Sequence, residues 1–151
     1  MSKFNLQGDI DDIEQSTLLQ LQSMINEYLL NGKIDLFEKL KELDIDLDLK
    51  GKFKTDFSEK VMKVLLNVKP GDYITYSELA ERINSKAYRA VGSVLKNNPL
   101  PLIIPCHRVV SKGGKIGGFM GKTNKGWQVH LKQTLLELEG ITITDQLSNS
   151  K

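Results

Sequence analysis

The chain has 151 residues, 40% of them hydrophobic, a net charge of +2 and a single cysteine, which allows one sizeable core with a small second lobe. No apolar run approaches the eighteen or so residues of a membrane span, and the first residues lack the basic-then-apolar order of a signal peptide, so no membrane partner is expected. A lone thiol excludes an internal disulfide and a thiolate metal cage, and it fits a reducing compartment, cytoplasmic or, in a eukaryote, nuclear.

In chain order, the first predicted element is a helix over Thr17 to Leu30, with Leu18, Leu19, Leu21, Met24, Ile25, Tyr28 and Leu29 as its apolar residues and Asn31 and Gly32 as its stop. A short amphipathic piece, Leu36 to Leu43, leads into Ile45, Leu47 and Leu49, which alternate with aspartates as in a half-buried edge strand. Phe57, Val61, Val64, Leu65 and Val68 predict a helix ended by Pro70 and Gly71. Thr75 and Glu78 form a capping-box pattern for the next helix, whose inward face is Leu79, Ala80 and Ile83. After a turn at Asn84 and Ser85, Ala87 to Lys96 reads as a third helix. Helix, tight turn, helix outlines either a helix-turn-helix module with Ala87 to Lys96 in the recognition position or an ordinary helical hairpin.

Charge separates along the chain. Residues 1–49 hold four lysines against eleven acids, net −7, whereas residues 50–151 hold seventeen basic and eight acidic residues, net +9. From Arg82 to Leu136 there are ten Lys or Arg and no Asp or Glu, a distribution suited to a surface that meets a polyanion, though a charge run can also be a solvated face.

Within this basic stretch lies Pro105, Cys106, His107, Arg108, Val109, Val110. Leu102, Ile103 and Ile104 read as a buried strand that Pro105 interrupts, which puts Cys106 at a strand end. A free cysteine is either a small core residue or a nucleophile, and cationic His107 and Arg108 beside it are expected to lower its pKa toward neutrality.

This hexapeptide, preceded by Asn98, Pro99, Leu100 and Pro101, resembles the active-site signature of the O6-alkylguanine-DNA alkyltransferases. The resemblance extends through Tyr88 to Gly92, through Ile116, Gly117 and Gly118, and through Leu135 to Gly140, covering roughly residues 55 to 142. It implies an α+β fold: a small, abbreviated amino-terminal lobe over 1–54, a mainly helical alkyltransferase domain containing the helix-turn-helix over 55–142, and a tail over 143–151. The implied activity is irreversible, stoichiometric transfer of an alkyl group from O6 of guanine, extending to O4-alkylthymine, in double-stranded DNA to Cys106. The protein would act as a monomer, without cofactor or metal. The structural zinc some members carry is not expected here, because residues 1–54 contain no Cys or His.

By the same resemblance, His107 activates Cys106 through a water, Glu139 holds His107, and Asn98 ties the helix-turn-helix to the active-site segment. Arg89 enters the base stack in place of an extruded nucleotide, while Tyr76 helps rotate that nucleotide and contacts the flipped base. Ser58, Ser77 and Ser85 near helix starts would hold phosphates, although capping explains them as well. The carbonyls of Cys106 and Val109 would receive the guanine amino group, and Phe119 and Met120 would border the base where the family commonly has tyrosine and serine. Each residue also has a plain structural reading: Arg89 as a surface cation, Tyr76 as a core aromatic, Glu139 as a helix-surface acid, His107 as a partly buried histidine. The segment Gly121 to Gln128 makes the chain longer here than compact members and is expected to shape tolerance for bulky alkyl groups. The rival reading is an alkyltransferase-like protein that binds the lesion without repairing it, against which Cys106 argues.

Overall fold

The computed structural model describes residues 2–4, 15–47, 53–121 and 126–143. In chain order these form β1 (Ser2–Phe4), α1 (Gln15–Asn31), α2 (Leu36–Glu42), β2 (Ile45–Leu47), α3 (Asp56–Leu65), β3 (Ile74–Thr75), α4 (Tyr76–Arg82), α5 (Tyr88–Lys96), a 3-10 turn (Cys106–Arg108), β4 (Val109–Val110) and α6 (Trp127–Leu138). Two small parallel sheets accompany the helices, β1 with β2 and β3 with β4, so the fold is α+β and dominated by helices. No helix among the described residues is long and apolar enough to cross a membrane.

Local chemistry explains most boundaries. Asp35 caps α2 by accepting from the Phe37 and Glu38 amides, and Thr55 caps α3 by accepting from the Ser58 amide. Thr75 and Glu78 close the expected capping box at α4. The third expected helix begins one residue late, at Tyr88, because Ala87 has no side chain to cap it; Ser85 Oγ accepts from the Ala87 amide instead. α3 ends at Leu65, well before Pro70, as tight-turn bonds from Asn67 and Val68 to Val64 and Leu65 replace the helical pattern.

α1 spans the expected helix, but its inward face is narrower. Thr17, Met24 and Tyr28 are buried and Leu21 and Ile25 partly so, while Leu18, Leu19, Leu29 and Leu30 are exposed. The buried stripe follows a single helical row, Thr17, Met24 and Tyr28, and the other leucines fall outside it. β2 begins at Ile45 as expected, whereas Leu49 lies outside the described residues. So do Lys122 to Lys125 of the expected inserted loop; Trp127 and Gln128 already belong to α6.

The expected strand over Leu102, Ile103 and Ile104 does not form. Leu102 adopts a positive φ of 77°, the Ile104 amide bonds back to the Leu100 carbonyl at 2.9 Å, and only a single bridge joins Pro101 to Ile104. Prolines at 99, 101 and 105 remove the amide donors a ladder needs, so the apolar run makes a tight loop. Cys106 accordingly opens the 3-10 turn that precedes β4 rather than closing a strand.

One hydrophobic cluster joins Met24, Tyr28, Leu36, Leu40 and Ile45 to Val61, Leu65, Ile74, Leu79, Val91, Ile104 and Val109. α4 and α5 pack on each other and on α3, and β3 pairs with β4 in the register Ile74 to Val109 and Thr75 to Val110. This pairing fixes the start of α4 beside the chain that follows Cys106. Tyr76, the first residue of α4, is held there.

Candidate active site

A cavity of about 420 Å³ opens between α5 and the loops after Cys106. Tyr76, Cys106, Phe119 and Met120 line it together with Arg89, Ser111 and Lys96. Arg89 is exposed, and Cys106 is only 6% exposed. Val109, Ser58, Ser77 and Ser85 do not line it. Val109 is fully buried and its carbonyl accepts from Lys132 Nζ, while the Cys106 carbonyl accepts from the Val109 amide. Ser58 and Ser85 serve the local caps already described.

Asn98 does join the two segments. Its Nδ2 donates to the Ile104 carbonyl at 2.8 Å and its Oδ1 accepts from the Leu100 amide at 2.9 Å. This places the end of α5 against the loop that carries the cysteine.

Behind Cys106 lies a buried charge network. His107 Nε2 and Glu139 Oε1 are 2.8 Å apart. Arg108 donates from Nε to Glu139 Oε2 at 2.9 Å and from NH2 to Oε1 at 2.7 Å, and from NH1 to the Val68 carbonyl at 2.6 Å. Glu139 caps the end of α6 rather than sitting on a helix surface, and it is 7% exposed. Burial alone would raise its pKa, but hydrogen bonds from His107 and Arg108 and their charges hold it down to about 2. An ionised carboxylate only accepts, so the ring nitrogen facing it carries the proton and His107 Nδ1 keeps its lone pair. That Nδ1 is buried and has no protein hydrogen-bond partner among the described residues.

The expected electrostatics of the thiol need correction. Burial pushes the Cys106 pKa up, and Asn98, Lys132 and the backbone amides only oppose this. His107 is fully buried, which lowers its pKa against the pull of Glu139, so it is not a standing cation. Arg108 directs its charge at Glu139. The basic group whose charge acts on the thiol comes instead from α6, and formation of the thiolate favours its charged form. Lys132 has no exposed surface; its Nζ bonds the carbonyls of Val109 and Gly118 and stands 5.9 Å from the Tyr76 ring centroid. Burial lowers its pKa to about 7, and the negative charge of a Cys106 thiolate would raise it again.

Sequence reasoning passed over Lys132, although a signal existed: Val129, Lys132, Leu135 and Leu136 share the buried face of α6, an apolar row that carries one cation inward. Arg108 and Lys132 therefore leave the basic surface, while Arg82, Lys86, Arg89, Lys96, Lys112 and Lys115 are exposed. Gly117 packs against Ser111 and Tyr76, two of the residues that line the cavity. Its φ of +68° suits glycine, and a Cβ there would lie 2.7 Å from Ser111 Oγ and 3.3 Å from the Tyr76 ring.

Comparison with known proteins bears on this arrangement. Residues 56–141 match the family model described as 6-O-methylguanine DNA methyltransferase, DNA binding domain. A methylated-DNA–protein-cysteine methyltransferase of Metallosphaera sedula is 37% identical over 152 aligned residues, covering 95% of this chain and 92% of that protein. The protein of the same name from Mycobacterium tuberculosis is 42% identical over 102 residues, covering 67% of this chain and 56% of its own length, so the chain spans little more than half of that relative. The structure of Mycobacterium tuberculosis OGT in complex with DNA superposes with a TM-score of 0.62 at 35% identity, covering 80% of this chain and 65% of that one. With the cysteine lining the cavity, the histidine and carboxylate buried behind it and this degree of similarity across the chain, the protein belongs to the O6-methylguanine-DNA methyltransferase family.

Proposed function

We propose that this chain repairs duplex DNA by transferring the alkyl group of O6-alkylguanine to Cys106 Sγ, once per molecule. The observation that carries the reading is the buried sequence of groups behind the cavity: a cysteine at its floor, a histidine with a free ring nitrogen, and a carboxylate that fixes the opposite nitrogen.

The chemistry follows from this placement. The alkyl group on O6 is enclosed in the duplex, so the base must be turned out into a pocket before any thiol can reach it. Arg89 and Tyr88, exposed on α5 at the cavity mouth, face the side from which DNA approaches, and Arg89 fills the gap left in the stack. Tyr76 and Phe119 flank the inserted base. The thiol proton passes through a water to His107 Nδ1. Sγ attacks the alkyl carbon, the C–O6 bond breaks with its electron pair going to guanine, and guanine takes up the proton that His107 releases. Glu139 supports the transient imidazolium. Lys132 faces the thiolate with positive charge and holds the Val109 and Gly118 carbonyls that shape the pocket wall. The product is a thioether, which water does not cleave.

The first test is the intact mass of the protein after incubation with duplex DNA carrying O6-methylguanine, beside Cys106→Ala. A gain of one methyl group per chain, limited by the amount of protein and absent from the variant, is the expected result. Binding of the damaged duplex with no mass gain would instead establish a lesion-binding protein. S. pombe Atl1, solved in complex with damaged DNA containing O6-carboxymethylguanine, superposes with a TM-score of 0.50 at 26% identity, covering 59% of this chain and 81% of its own.

A further inference from the structure

The amino-terminal lobe reaches the reactive network directly. α1 ends against the end of α6: Gly32, at φ +66°, lies so close to the Leu138 backbone that a Cβ there would be 2.1 Å from the Leu138 carbonyl oxygen. One turn earlier, Tyr28 is fully buried and its hydroxyl donates to Glu139 Oε1 at 2.6 Å, with His107 Nε2 3.5 Å from the same oxygen of the phenol. A phenylalanine would fill this space without the cost of burying a hydroxyl, so the hydroxyl's partner is what the position selects.

Its partner has a particular need of donors. Glu139 lies at the C-terminal end of α6, where the helix dipole disfavours negative charge. Its other donors, His107 and Arg108, both come from one short turn. Tyr28 holds the carboxylate from a different element and a different part of the chain.

We propose that Tyr28 is a positioning residue for the transfer reaction: by fixing Glu139 Oε1 it holds the His107 ring with Nδ1 toward Cys106, so that the amino-terminal lobe completes the proton-accepting network. This rests on the reading of Cys106 as the nucleophile and deepens it. The groups that act together on the thiol are Tyr28 from α1, Tyr76 from α4, His107 and Arg108 beside it, and Lys132 and Glu139 from α6 and its cap.

The test is the rate at which iodoacetamide alkylates Cys106, the only cysteine, followed by intact mass from pH 6 to 10.5 for wild type, Tyr28→Phe and Met24→Ala. Met24 is buried in the same row of α1 and reports loosened packing alone. In Tyr28→Phe the rate should fall roughly tenfold near neutral pH, the scale of losing a group that orients a reacting side chain. The deficit should vanish at alkaline pH, where the thiol ionises without help. Met24→Ala should show a lower melting temperature and no such pH-dependent deficit. A wild-type rate in Tyr28→Phe, a deficit equal at every pH, or the same pattern in Met24→Ala would overturn the proposal. If Tyr28→Phe does not fold, the wild-type proton spectrum decides: a slowly exchanging Tyr28 hydroxyl with a cross-peak to the His107 ring supports the contact, and its absence overturns it. Because iodoacetamide needs no damaged base, failure of methyl transfer would remove the repair reading while leaving the Tyr28 measurement intact.

Discussion

Lys132 has three N–H donors and no exposed surface, and two of the donors reach the carbonyls of Val109 and Gly118. Lys132→Met keeps the side-chain length but removes both bonds and the charge. Two carbonyls then lose a donor, at about 1–3 kcal/mol each when no other partner replaces it, although loss of a buried charge offsets part of this. The thiol should become harder to ionise, and alkyl transfer at pH 7 should slow by at least about tenfold, read as the single-turnover rate on O6-methylguanine duplex. Glu139 gives a prediction of opposite chemical sign. Its pKa is about 2 in the folded chain against 4.5 ordinarily, so between these values the unfolded state binds more protons and stability falls as pH is lowered. The urea midpoint should therefore drop between about pH 4.5 and pH 2. Glu139→Gln should flatten that part of the profile and, by leaving Arg108 buried without its counter-charge, cost about 3–5 kcal/mol at neutral pH.

At the scale of elements, the short α4 depends on its first turn. Thr75→Ala removes the acceptor for the Glu78 amide and should cost about 1 kcal/mol in urea denaturation. Gly32→Ala tests the junction of α1 with α6, since the added methyl has no room beside Leu138 and the residue sits at positive φ. A loss of at least about 2 kcal/mol is expected, combining overpacking with backbone strain. These elements also show what the sequence could convey. Helices α2, α3 and α4 carry side-chain caps, and α1 and α4 end beside glycine or asparagine stops, all local signals within a few residues. The loop at Leu102 to Ile104 lacked such a signal: three apolar residues read as strand until the surrounding prolines and the positive φ of Leu102 are seen to deny them a partner. The thiol's environment is hidden from the sequence for a related reason. Adjacency in sequence suggests adjacent fields, but burial disfavours charge on His107 and Glu139 occupies Arg108, while the basic group whose charge acts on the thiol stands 26 positions away on α6. Pairings across the chain, such as Tyr28 with Glu139 over a separation of 111, leave no trace in local pattern.

The whole molecule combines an acidic amino-terminal third with a basic remainder; exposed Arg89 and Lys96 of α5 line the cavity, and exposed Lys86 lies just before that helix. If these three neutralise phosphates, binding to undamaged duplex should weaken with salt at a logarithmic slope of roughly −3, about −0.9 for each contact. Lys86→Ala and Lys96→Ala should each reduce the slope by about one contact. Arg89→Ala should do more to the damaged duplex than to the intact one, because the gap in the stack exists only after a base has turned out. Fluorescence anisotropy on both duplexes between low and physiological salt separates the two effects.

A reagent that is consumed by its own reaction loses capacity with every wrong encounter. The Cys106 thiol, 6% exposed and pushed toward its protonated form by burial, is a poor target for small electrophiles diffusing through solvent. On the proposed function, a base lodged in the cavity changes those terms, since it would exclude water, bring its alkyl carbon to the sulfur and supply the acceptor for the displaced proton. Restraint at rest would then become a form of selectivity: the same burial that makes the isolated thiol sluggish would reserve each molecule for a lesion already in place.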